Sequence, residues 1–160
     1  MEKNIRKAVF NDIEKIANII SVVWRDAYKG IIEEKFLKER TVEKMIYNVR
    51  NAFQEREYFV YEENNIVKGF ISGKIHNNEN CEIIQLYVGL EFQGKNIGTE
   101  LLNYMKILFK SRSCTKMTVW TLKNIRNNTF YLKNGGKVFE EKDLEIGNKK
   151  YPGIGFMIEL

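Results

Sequence analysis

Leu86-Tyr87-Val88-Gly89-Leu90-Glu91-Phe92-Gln93-Gly94-Lys95-Asn96-Ile97-Gly98-Thr99 reads as a strand end, a glycine-bearing loop and the first turn of a helix. A loop that feeds a helix N-terminus leaves backbone N–H groups without intrahelical partners. Those donors and the helix dipole together favour an anion. Gly94 and Gly98 carry no side chain, so the backbone there can approach a phosphate closely. Lys95 adds a positive charge and Thr99 a hydroxyl. On spacing alone the segment is either a plain strand-to-helix turn or a phosphate site. It is not a P-loop, because no Gly-Lys-Ser/Thr follows. Nor is it the dinucleotide fingerprint, because Thr121-Leu122 stands where that pattern needs an acidic residue.

Upstream of this loop, Tyr58-Phe59-Val60-Tyr61 and Ile66 to Ile75 read as a β-hairpin turned at Glu63-Asn64-Asn65. After another turn at Asn77 to Asn80, Glu82 to Val88 is a third strand. Nearer the start, Ile5 to Phe10 predicts a first strand. Asn11 or Asp12 then caps a helix whose Ile13, Ile16, Ala17, Ile20, Val23, Trp24 and Ala27 share one face, broken at Gly30. Val42, Met45, Ile46 and Val49 mark a second helix. Downstream, Gly98 to Lys110 reads as a helix with Leu101, Leu102, Met105, Leu108 and Phe109 inward. Met117 to Thr121 is a strand. Asn124 to Asn134 is a helix capped by Gly135-Gly136. Val138-Phe139 and Tyr151 to Leu160 close the chain as a strand pair around Gly147-Asn148. Strands joined by helical crossovers imply parallel neighbours in the C-terminal half, so the expected sheet is mixed.

At 160 residues, 44% hydrophobic and 29% charged, the chain is expected to form a single domain over 1–160 with a real core. A net charge of +5 suits nucleic acid, a membrane surface or a polyanionic small ligand, and selects none of them. Its basic residues are scattered rather than gathered into an arm. Cys81, Cys114 and the lone His76 do not make a tetrahedral ligand set, so no metal is expected, and the cysteines read as reduced cytosolic thiols. Met1-Glu2-Lys3-Asn4 leads straight into structured-looking sequence, with no signal peptide and no bilayer-length apolar run, so the expected location is cytoplasmic.

A second constellation narrows the meaning of the loop. Asn124-Ile125-Arg126-Asn127-Asn128-Thr129-Phe130-Tyr131-Leu132-Lys133-Asn134-Gly135 follows the strand that comes after the loop helix. With Gln93, Ile97 and Gly98 before it, and Asn124, Phe130, Tyr131 and Gly135 within it, the chain resembles the GNAT superfamily of N-acetyltransferases. Three positions depart from the family pattern. Asn96 stands where glycine is usual, and asparagine is the least costly replacement if that position needs positive φ. Asn127 replaces the usual alanine, and Gly136 the usual phenylalanine after Gly135.

The resemblance implies an α/β (mixed α+β) fold: a central mixed, mostly antiparallel sheet of about six to seven strands flanked by about four helices. It implies acetyl-CoA as co-substrate, no metal, and acetyl transfer to a primary amine by direct attack in a ternary complex. Gln93, Gly94, Lys95, Asn96, Ile97, Gly98 and Thr99 would hold the pyrophosphate. Leu86, Tyr87 and Val88 would pair with the pantetheine arm, and Asn124 would hold that arm or orient its loop. Tyr131 matches the family's general acid. Glu82 sits where the histone-acetyltransferase branch places its base, and is otherwise an ordinary strand-end carboxylate. Trp24 and Tyr28 would wall the acceptor pocket. The implied acceptor is a small-molecule or peptide amine, with no nucleic-acid or membrane partner and with a homodimer left open. Glu33, Glu34 and Glu82 hint at a polyamine-like amine. A non-catalytic CoA-binding or regulatory module on the same fold is the alternative that Asn96 keeps open.

Overall fold

The structure, a computed structural model, describes residues 3–77 and 79–160. Met1 and Glu2, and Asn78 of the expected turn at Asn77 to Asn80, lie outside the described residues. Among the described residues, seven strands form one sheet in the order β1-β2-β3-β4-β5-β7-β6, with five α-helices. The strands are β1 (Lys3–Lys7), β2 (Glu57–Glu63), β3 (Ile66–Ile75), β4 (Asn80–Val88), β5 (Lys116–Leu122), β6 (Lys137–Ile146) and β7 (Lys149–Glu159). The helices are α1 (Ile13–Ala27), α2 (Glu34–Lys38), α3 (Val42–Ala52), α4 (Ile97–Ser111) and α5 (Asn128–Lys133). The fold is thus mixed α/β with a mostly antiparallel sheet, as expected, and β4–β5 is its parallel pair in the described register.

Chain contacts divide the molecule into two compact units. The first comprises Met1–Lys74 and Gln85–Met105. Its β2–β3 hairpin turns at Asn64 and Asn65, which take φ of 53° and 62°. Asparagine tolerates that left-handed region, so the twist of a two-residue hairpin turn is available without glycine. On one side of these strands α1 and α3 bury Ile13, Ile16, Ala17, Ile20, Val23, Met45 and Val49 against Tyr58, Val60 and Phe70. Gly69 of β3 is needed for close strand approach, since a Cβ there would lie 3.0 Å from the Tyr87 carbonyl oxygen.

The first strand is shorter than expected. It ends at Lys7, and Phe10–Asp12 form a 3-10 turn. Asp12 does not cap α1 with its side chain. It is buried instead, taking hydrogen bonds from Arg6 Nη1 at 2.7 Å and Nη2 at 3.1 Å and from the Val9 N–H at 2.9 Å. Burial pushes its carboxyl pKa up, but the Arg6 hydrogen bonds, the Val9 N–H and the charges of Arg6 and Lys15 outweigh that and hold it below the ordinary value. A depressed folded pKa adds stability that is fully present above the unfolded value and is lost as pH falls through the folded one. Asp12→Asn is therefore expected to lower stability by about 2–3 kcal/mol at neutral pH, with the difference from wild type shrinking as pH falls below about 4. Urea melts across that range test this.

The second unit comprises Ile75–Ile84 and Lys106–Leu160. Helical crossovers here led us to expect parallel neighbours, and that holds only for β4 and β5. β6 does not lie beside β5: β7 inserts between them and runs antiparallel to both. The β6–β7 hairpin is also far longer than Val138-Phe139 suggested, because β6 is an exposed edge strand whose mostly charged residues show little apolar pattern. The hairpin requires Gly153. A Cβ at Gly153 would lie 2.4 Å from Leu144 Cγ and 2.8 Å from the Lys142 carbonyl oxygen. Gly153→Ala should cost about 2 kcal/mol and lower the melting temperature by roughly 5 °C, measurable by calorimetry. Cys81 and Cys114 are free thiols in the core, and burial pushes the Cys81 pKa up.

α2 was not foreseen. It is one short turn-length helix whose buried apolar residue is Leu37. α5 starts at Asn128 rather than at Asn124, because residues 123–127 form turns first.

Candidate active site

In the first unit, β4 leads through Leu90–Phe92 into the loop 93–96 and then α4. Gln93 folds back, its Nε2 donating to the Val88 carbonyl at 3.1 Å, and so ties the loop to the strand end. Gly94 and Asn96 take φ of 74° and 66°. The expectation for Asn96 is met: it adopts the left-handed conformation usually left to glycine. At Gly94 an added Cβ would meet nothing within 4 Å.

The consequence is a row of donors. Among the described residues, the backbone N–H groups of Gly94, Lys95, Asn96, Ile97, Gly98 and Thr99 have no protein acceptor, and the first such bond of the helix runs from the Glu100 N–H to the Asn96 carbonyl at 3.1 Å. Six successive donors at the start of a 15-residue helix make a candidate anion cradle. Lys95 Nζ lies 5.6 Å from the centre of the Phe92 ring, close to the loop. Ile97 is buried and anchors the cradle to the core. These residues fit a polyphosphate ligand.

Trp24, Tyr28 and Tyr87 are brought together in the same unit. Trp24 Nε1 donates to the Tyr87 hydroxyl at 3.1 Å, and the Trp24 and Tyr28 rings meet edge to face at 4.7 Å. Burial pushes the Tyr87 phenol pKa up, against hydrogen bonds from Trp24 and Tyr28. Arg40, in the link between α2 and α3, lies over the Trp24 ring at 3.7 Å from its centre. No local pattern marks this residue in the sequence. Leu86 and Val88 occupy the half-buried end of β4. The β4–β5 ladder runs from Asn80↔Lys116 to Ile83↔Val119.

In the second unit, Tyr131 is 7% exposed, stacked on Phe156 at 5.5 Å and edge-on to Phe130 at 5.2 Å. Asn124 is exposed in the turn before α5 and does not cap that helix. Asn128 holds the strand end instead. Its Nδ2 donates to the carbonyls of Leu122 at 2.8 Å and Lys123 at 2.7 Å, and its Oδ1 accepts from Thr121 Oγ1 at 2.5 Å. A run containing Asn124, Asn127 and Asn128 offers several equivalent candidates, and only the end point of β5 selects among them. Glu82 is bonded to His76 Nε2 at 2.7 Å. His76 is exposed and engaged in this pair. Glu34 of the acidic trio pairs with Lys38 at 2.8 Å. Among the described residues no group of three or more His, Cys, Asp or Glu side chains gathers as a metal site, and no helix is long and apolar enough to cross a membrane.

Comparison with known proteins gives one family match and several relatives. The model of the acetyltransferase (GNAT) family matches residues 17–136. A spermidine N(1)-acetyltransferase of Thermoplasma acidophilum is 27% identical over 162 residues, covering 94% of this chain and 99% of its own. Among solved structures, the PaiA N-acetyltransferase of Thermoplasma acidophilum in complex with coenzyme A superposes with a TM-score of 0.81 at 22% identity over 100% of both chains. An acetyltransferase from Elizabethkingia anophelis with acetyl-CoA bound gives 0.67 at 16% identity, over 99% of this chain and 98% of that one.

Proposed function

Because the chain belongs to the GNAT family of acetyltransferases, we propose that it moves the acetyl group of acetyl-CoA onto a primary amine of a small molecule, by direct attack of the amine in a ternary complex. The observation that carries this reading is the row of six backbone N–H groups, Gly94 to Thr99, without acceptors at the start of α4. Likeness to proteins crystallised with coenzyme A or acetyl-CoA supports the co-substrate. Likeness to a spermidine acetyltransferase supports a small amine as acceptor. Asn96 does not argue for a non-catalytic module, since it takes the backbone conformation that glycine would take.

Bound acetyl-CoA supplies the acyl group as a thioester. Gln93 to Thr99 would hold its pyrophosphate, and the backbone of Leu86, Tyr87 and Val88 its pantetheine arm, with Asn124 as a further hydrogen-bonding partner. A backbone N–H of Leu86 or Tyr87 would donate to the acetyl oxygen as that atom gains charge, worth ~3 kcal/mol. Tyr131 would serve as general acid toward the leaving sulfur. A phenol near pKa 10 giving its proton to the leaving thiolate, whose thiol has a pKa near 8.5, is uphill by about 2 kcal/mol, so the hydroxyl hydrogen-bonds the sulfur while the amine's proton becomes available. An alkyl ammonium costs roughly 4–5 kcal/mol to deprotonate at neutral pH. Glu82 would receive that proton through water, with His76 hydrogen-bonded to the carboxylate. Trp24 and Tyr28 would wall the acceptor.

Titration calorimetry with acetyl-CoA, followed by thiol release across an amine panel, tests the reading. Saturable binding and amine-dependent release of CoA are expected. Failure to bind at millimolar acetyl-CoA would overturn it.

A further inference from the structure

Acetyl transfer as described makes no use of Arg40. Its guanidinium lies 3.7 Å from the centre of the Trp24 ring and 5.7 Å from that of Phe36. Nε is closed off from solvent and has no acceptor. Among the described residues no carboxylate pairs with this side chain, and the groups whose charge bears on it are the phenols of Tyr87 and Tyr28, while burial draws its pKa down. Phenols are neutral at neutral pH and a guanidinium stays protonated. A half-buried cation therefore stands in an aromatic box without a counter-charge. Arg6, by contrast, pairs with Asp12 and Glu62. Stacking on Trp24 offsets part of the desolvation and fixes the plane of the fork.

The backbone beneath it is also pinned. Ser21 Oγ donates to the Arg40 carbonyl at 2.6 Å, and Arg25 Nη2 donates to Ser21 Oγ at 2.6 Å. The surface that Arg40 joins is the Trp24–Tyr28–Tyr87 wall. Resting on the acetyl-transfer reading, which gives that wall to the acceptor, we propose that Arg40 determines specificity and that the acceptor amine also carries a carboxylate. An amino-acid-type molecule fits: its carboxylate takes paired N–H bonds from the planar fork, the geometry for which arginine is suited and lysine is not. A polyamine meets like charge here. Of the acidic residues that would favour one, Glu34 is engaged with Lys38.

The test uses the purified chain with acetyl-CoA and follows thiol release over matched acceptors: free amino acids, their amides, the amines left when the carboxyl is removed, and spermidine. The free amino acids should exceed their amides and decarboxylated counterparts by at least about tenfold in kcat/KM. Arg40→Met keeps a long apolar stem against Trp24 and removes the charge. It should abolish that preference mainly through KM, with turnover of the decarboxylated amines unchanged or raised. Arg40→Lys should restore only part of it. Wild-type protein that accepts amides, decarboxylated amines or spermidine as readily as amino acids overturns the role of Arg40 and leaves acetyl transfer standing. An unchanged preference in Arg40→Met overturns it equally. No release with any amine overturns both.

Discussion

Replacing Tyr131 with phenylalanine is expected to lower kcat about 100-fold, or ~2.7 kcal/mol of barrier, while acetyl-CoA affinity changes little. The substitution isolates the hydroxyl. The phenylalanine ring keeps the stacking on Phe156 and the edge contact with Phe130 that bury this position, so folding should be preserved. A structural tyrosine would behave otherwise: its loss would appear in the melting temperature and not in turnover. Steady-state kinetics on a good acceptor, calorimetric affinity and a thermal melt separate the two. Equal turnover by wild type and variant would remove Tyr131 from the role of acid.

Gly94→Val is expected to weaken acetyl-CoA binding by about tenfold to a hundredfold with almost no loss of stability. At Gly94 φ is 74°, and an added Cβ would meet nothing within 4 Å. Steric crowding by neighbours is thus absent, and only the dihedral matters. A β-branched residue in that region is strained by ~1–3 kcal/mol, and an exposed loop relieves the strain by changing conformation. That change would scatter the donors of Gly94 to Thr99, which have no protein acceptor among the described residues. Calorimetry with acetyl-CoA beside a thermal melt reads both quantities. Wild-type affinity in the variant would show that the row of donors does not hold the pyrophosphate.

The legible parts of this molecule were those written in local chemistry. The hairpin at Asn64-Asn65, the glycine-bearing loop before α4 and the apolar face of α1 each follow from neighbouring residues. Dihedral preference, turn chemistry and helical period act over a few positions. The position of Asn96 belongs here too, since its tolerance of positive φ is a property of one side chain. Less legible were the places where distant segments choose between equivalent local options. The asparagines after β5 illustrate this: Asn124 and Asn128 are chemically identical, and Asn128 is used because the Leu122 and Lys123 carbonyls, at the end of β5 and just beyond it, lie within its reach.

By itself the amino-acid sequence determined the family pattern, the candidate anion-binding loop and the candidate acid Tyr131, because each is carried by residues close together in the chain. Tertiary structure alone decided three other matters. It inserted β7 between β5 and β6, since strand order depends on which edges meet rather than on any strand's own pattern. It turned Asp12 from a helix cap into the buried partner of Arg6. It also carried Arg40 onto Trp24, where burial without a counter-charge turns an ordinary arginine into a candidate reader of the acceptor. Charge and solvation are properties of surroundings, and those surroundings exist only once the chain is folded.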